Sequence, residues 1–184
     1  MVVRQAMSCV VLVAFALMAA AVRADQAPLQ AFFGTFEGRT RFPMGEQSNR
    51  HLRVSIHPHG NGGFTVAWET EILKSITVTV EKSMVVDFEP TVRAGIYVAV
   101  DPRGGGPDPL SGGAYIWAQH ADQTLTVHLF HVDDHGDYVV QSYARTLIED
   151  GLALDFHRIR NGATERRIKG TLKRVDEATP PAGR

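Results

Sequence analysis

The chain has 184 residues, 44% hydrophobic, 21% charged and 8% aromatic, with a formal net charge of −1. These fractions exclude a disordered chain, a collagen and a coiled coil, and the length suits one domain. A near-neutral balance argues against a nucleic-acid partner, which calls for a basic excess.

The first residues speak to compartment. A short positive start, Met1-Val2-Val3-Arg4, precedes an apolar run from Cys9 to Val22 and then Arg23-Ala24-Asp25. This reads as a secretory signal over residues 1–24, with Val22 and Ala24 as the small residues before the cut. The run is shorter than the roughly 20 residues of a membrane-spanning helix. The expectation is therefore a periplasmic or secreted protein with no membrane span once the signal is removed, an uncleaved anchor being the alternative. Cleavage takes away Cys9, the only cysteine, and with it any disulfide, thiol nucleophile, thiolate-bound metal or c-type haem attachment. It also removes Arg4 and Arg23 but no acidic residue, which moves the net charge to −3.

Residues 26–33 have room for one short helical turn at most. From Phe32 to Val175 apolar and polar residues alternate almost throughout. Leu52, Val54 and Ile56 form one such series, Phe64, Val66 and Trp68 the next, and Ile76, Val78 and Val80 a third. Leu125, Val127 and Leu129 follow, then Leu152, Leu154 and Phe156, then Ile168 and Leu172. Period two is the mark of half-buried antiparallel strands, with one face to a core and one to water. Turn residues that tolerate positive φ lie between them, in His59–Gly63, Asp134–Asp137, Glu149–Gly151 and Asn161-Gly162. The count is about ten strands, with no internal repeat and no linker. The Gly/Pro-rich stretch Asp101–Pro109 reads as a long connection, a candidate lid or partner-contacting loop. A barrel domain over residues 25–175 is predicted, followed by a polar tail over 176–184.

Ten short hairpin-linked strands fit a single antiparallel up-and-down β-barrel of about 8–10 strands, since closure removes exposed edges. The opening Phe33-Gly34-Thr35-Phe36-Glu37-Gly38, the hairpin meander and the closing Ile168-Lys169-Gly170-Thr171-Leu172-Lys173 resemble the lipocalin and fatty-acid-binding superfamily. The Gly-x-aromatic-x-Gly entry is also similar to nitrobindin-type haem barrels, although no matching haem-ligand histidine stands near the C-terminus. The resemblance implies a lumenal cavity for a small apolar or amphipathic molecule. It names neither ligand nor cofactor.

The leading candidate site is Gln141, Tyr143 and Arg145, which a spacing of two puts on one strand face. A guanidinium beside a phenol can hold a carboxylate, and fatty-acid-binding barrels resemble this arrangement. The opposite reading turns this face outward and makes Val140, Ser142 and Ala144 the core. Trp68, Tyr115 and Trp117 are the expected packing surface for the ligand's apolar body, unless they simply fill the barrel. His128 is a candidate lumenal acid–base group, with Asp155 or Glu69 as partner. The histidines at His57-Pro58-His59 and around Asp133–Asp137 match no established metal spacing. Two other classes stay open: a barrel-mouth isomerase, cyclase or hydrolase, and a cell-envelope scaffold with a filled lumen. Oligomeric state is open as well.

Overall fold

The computed structural model describes residues 26–41, 47–75, 78–100 and 108–175. The expected signal over 1–24, the tail over 176–184 and most of the 101–109 connection lie outside the described residues.

Ten strands follow one another: β1 Gly34–Arg41, β2 Gln47–His59, β3 Gly63–Ser75, β4 Val78–Pro90, β5 Ile96–Ala99, β6 Tyr115–Ala121, β7 Thr124–Val132, β8 Tyr138–Ile148, β9 Gly151–Arg160 and β10 Ala163–Val175. Each pairs antiparallel with its chain neighbours, and β1 pairs with β10, so the sheet closes into an up-and-down barrel. The ten-strand meander is the single up-and-down barrel expected from the strand pattern. Apart from the strands, the described residues hold two 3₁₀ turns, Leu29–Phe32 and Pro109–Ser111. Among them no helix is long and apolar enough to cross a membrane.

Local chemistry explains most of the turns. Gly60 and Gly62 take positive φ between β2 and β3, Gly136 between β7 and β8, and Asn161 with Gly162 between β9 and β10. Of the series Ile76, Val78, Val80, Val78 and Val80 lie in β4, while Ile76 lies outside the described residues. The β6–β7 hairpin turns at Asp122, whose φ is 52°. At the barrel seam Gly38 is required by space, since a Cβ there would lie 2.1 Å from the Thr171 carbonyl oxygen.

The lumen is divided. At one end the inward residues are mostly large and apolar, with the smaller Ala118 from β6, and they fill it. Phe64 stacks on Phe88 at 5.0 Å and meets Tyr97 edge-on at 4.9 Å. The turn Leu29–Phe32 plugs this end with a fully buried Phe32. Burying each such side chain is worth roughly 1.5–3 kcal/mol. Gln26 Nε2 fastens the plug by donating to the His120 carbonyl and ring Nδ1, each at 3.2 Å. Arg174 reaches back across the seam to donate to the Ala31 and Phe33 carbonyls. The other end of the lumen is open.

Candidate functional site

The open half is a cavity of about 570 Å³, within the size range of small-molecule pockets. Its position follows from strand phase. On β8, Val139, Gln141, Tyr143, Arg145 and Leu147 share the inward face, opposite Leu129, Val127 and Leu125 of β7 in register. On β9, Leu154 and Phe156 pair with Arg145 and Tyr143. The inward series on β8 therefore runs from Leu147 at the plugged end through Arg145 and Tyr143 to Gln141 and Val139 toward the mouth.

Arg145 is 1% exposed, and burial lowers its pKa to about 10. Its Nη1 donates to the Tyr143 carbonyl at 3.3 Å, and its Nε has no hydrogen-bond partner. The guanidinium carbon lies 5.8 Å from the ring centres of both Trp68 and Tyr143, so aromatic faces stand where a counter-ion would. Among the described residues no carboxylate lies within ion-pair distance of it. Burial raises the pKa of the Tyr143 phenol, while Arg145, Arg158 and Arg50 nearby pull it the other way. The phenol donates to Gln141 Oε1 at 3.0 Å, which fixes it as a neutral donor beside the arginine. Trp68, Tyr143 and Phe156 form a continuous aromatic wall, with ring spacings of 5.7 and 4.7 Å.

Four expected residues therefore come together in one cavity: Trp68, Gln141, Tyr143 and Arg145. Tyr115, Trp117 and His128 do not join them. On β6 the buried positions are Ala118 and His120, which puts Tyr115 (43% exposed) and Trp117 on the outer wall. On β7 the buried Val127 and Leu129 carry the inward face, so His128 also points outward. There it stacks on Trp117 at 4.8 Å and bonds Ser142 Oγ at 2.9 Å through Nδ1. Burial against these neighbours lowers its pKa. The expectation that these three line the lumen is corrected accordingly. Both faces of β6 mix apolar and polar residues, Tyr115, Trp117 and Gln119 on one and Ile116, Ala118 and His120 on the other, which conceals the phase from the alternation alone.

The mouth also carries residues that the spacing argument passed over: Arg50, Lys82, Arg158 and Arg166 line the same cavity. Continuing the inward phase by two from Leu52 reaches Arg50, and from Phe156 reaches Arg158. Among the described residues no aspartate or glutamate lines the cavity. Around the 133–137 turn, the Asp133 carboxylate accepts the His135 and Asp137 amides and pairs with Arg160. Among the described residues no cluster of three or more His, Cys, Asp or Glu side chains could hold a metal ion.

Fold and site together define a closed ten-strand up-and-down barrel with a half-filled lumen and a cationic, aromatic-walled cavity. No protein-family model matches the chain, and no curated protein matches it. Among solved structures it is similar to Rv2717c from M. tuberculosis, at 14% identity and a TM-score of 0.49, over 83% of this chain and 100% of that one. It is also similar to the S-type phycobiliprotein lyase CpeS from Guillardia theta, at 10% identity and a TM-score of 0.35, over 81% and 91% of the two chains. At these values neither neighbour bears on what this chain binds.

Proposed function

We propose that the protein is an exported carrier that holds a small amphipathic acid in the open half of its barrel. The acid group meets Arg145 and the Tyr143 phenol, and the apolar body lies along Trp68, Tyr143 and Phe156. One observation carries the reading: a guanidinium 1% exposed, with an idle Nε and no carboxylate in reach among the described residues. A buried, unpaired charge costs several kcal/mol, and an incoming oxyanion offsets that cost with charge-assisted bonds. Export is supported by the N-terminal pattern of a positive start, a short apolar run and small residues before Asp25.

The test is calorimetric titration with dodecanoate, a single-chain carboxylate, against wild type and Arg145→Gln. Wild type binds, and Arg145→Gln weakens binding about tenfold or more, the range for a hydrogen bond to a charged group. Equal affinity in the two proteins removes the arginine from the site. Native mass spectrometry of protein purified without denaturation then reads the resident molecule directly, as an adduct of a few hundred daltons.

A further inference from the structure

The cavity holds more positive charge than one carboxylate can answer. Besides Arg145 at its floor, Arg50, Lys82, Arg158 and Arg166 line its walls and mouth. Arg158 and Arg166 stand directly opposite each other on β9 and β10. Like charges in that relation destabilise a sheet unless something lies between them. Glu165 pairs with Arg158 from the strand irregularity beside it, and it also approaches Arg160. Among the described residues Glu165 is the carboxylate paired there, and Lys82, Arg158 and Arg166 give the mouth its cationic character.

Arg145 and Arg158 are set apart along the backbone, and the Tyr143 phenol lies near both. Arg158 is opposite Gln141, four residues up β8 from Arg145. At the strand rise of about 3.3 Å per residue, their backbones are about 13 Å apart. Between them run the aromatic wall of Trp68, Tyr143 and Phe156 and the aliphatic side chain of Leu154. The sequence along the cavity is thus cation, apolar wall, cation.

Resting on the carrier reading above, we infer that the ligand is an amphipathic dianion, with one oxyanion against Arg145 and a second at the mouth between Arg158 and Arg166. An apolar segment of medium length spans the two. Carboxylate and phosphate share the required chemistry, because each accepts paired N–H bonds from a guanidinium.

The experiment compares dodecanedioate with dodecanoate, two chains of equal length that differ in the second acid, by titration of the full-length protein. On wild type the diacid binds at least about tenfold more tightly, the worth of one further charge-assisted contact. In Arg166→Gln the ratio of the two affinities falls toward one, and in Arg158→Gln it falls likewise. Because the readout is a ratio within each protein, a modest loss of stability in a variant leaves it intact. Equal affinities on wild type overturn the dianion while the carrier reading stands. A diacid preference undiminished in both variants overturns the placement of the second group. Failure of both acids to bind wild type overturns the carrier reading and this inference together. Repeating the titration with dodecyl phosphate separates a phosphate preference from a carboxylate one.

Discussion

Arg145 lies with its guanidinium carbon 5.8 Å from the centre of the Trp68 ring, across the barrel from its own strand. The contact joins β8 to β3 at the level where the filled half of the lumen ends. It makes the indole both the wall of the cavity and the nearest reporter of what reaches the arginine. The other tryptophan, Trp117, is stacked on His128 on the outer wall.

Ligand binding is therefore expected to change the emission of one tryptophan only. Trp68→Phe removes most of the fluorescence change on adding dodecanoate, whereas Trp117→Phe keeps it. The change following Trp117 instead would move the site to the outer face of β6 and β7.

Arg145 also sets a trade between stability and binding. Its charge is buried, with one hydrogen bond to the Tyr143 carbonyl and an unpartnered Nε. Arg145→Met keeps much of the side-chain volume and removes the desolvated charge. The expected outcome is a gain of about 1–3 kcal/mol in unfolding free energy for the ligand-free protein. The same variant loses the thermal stabilisation that ligand confers on wild type. Urea titration with and without dodecanoate checks both halves. A stability loss in Arg145→Met would mean that the stacking on Trp68 and Tyr143 outweighs desolvation.

Much of the barrel was legible because period two survives wherever one face is wet. The series Leu52-Val54-Ile56 and Leu125-Val127-Leu129 fall on the inward face as read, and Gln141-Tyr143-Arg145 does too. The hairpin between β3 and β4 was not legible, since alternation continues through residues 75–78 with no glycine or asparagine to mark the reversal. Tyr115 and Trp117 misled for a related reason: aromatics decorate the outer wall of β6 while a small Ala118 takes the core. The mouth arginines come from three strands, and although the inward phase by two reaches Arg50 and Arg158, their convergence with Arg166 on one cavity shows only in the folded barrel.

His120 supplies a pH dependence whose sign can be worked out. It is buried against Phe32, its rings 5.4 Å apart edge-on, and burial lowers its pKa below the ordinary histidine value of 6.5. Gln26 Nε2 donates to Nδ1, which assigns the ring proton to Nε2. Outer-wall His128 is shifted in the same direction. Between pH 6.5 and the depressed native values, the unfolded chain holds more protons than the folded one. Stability is then complete above about pH 6.5 and falls as pH is lowered through that window. His120→Gln makes the fall shallower. Urea midpoints at a few pH values from neutral to mildly acidic read the slope, and superimposable slopes would sink the assignment. The aspartates with lowered pKa, Asp133 and Asp155, act below their ordinary value of 3.8 and so do not confuse it.

The plug at the closed end depends on one side chain from the last strand. Arg174 donates through Nη1 to the Phe33 carbonyl and through Nη2 to Ala31 at 2.9 Å. Its guanidinium also covers the Phe36 ring at 4.6 Å. The fork thus ties the 3₁₀ turn to the β1–β10 seam while shielding a fully buried aromatic. Arg174→Ala is expected to lower stability by about 1–2 kcal/mol, because solvent exposure discounts its two hydrogen bonds and its cation–π contact. Arg174→Lys recovers little, because an ammonium lacks the planar fork that bridges two carbonyls. Hydrogen exchange localises the effect. The amides of Ala31 and Phe33, bonded to the Pro28 and Gln30 carbonyls, lose protection in the variant while the β7 and β8 amides keep theirs. Uniform loss across the barrel would instead make Arg174 a global stabiliser of closure, with the turn following the sheet.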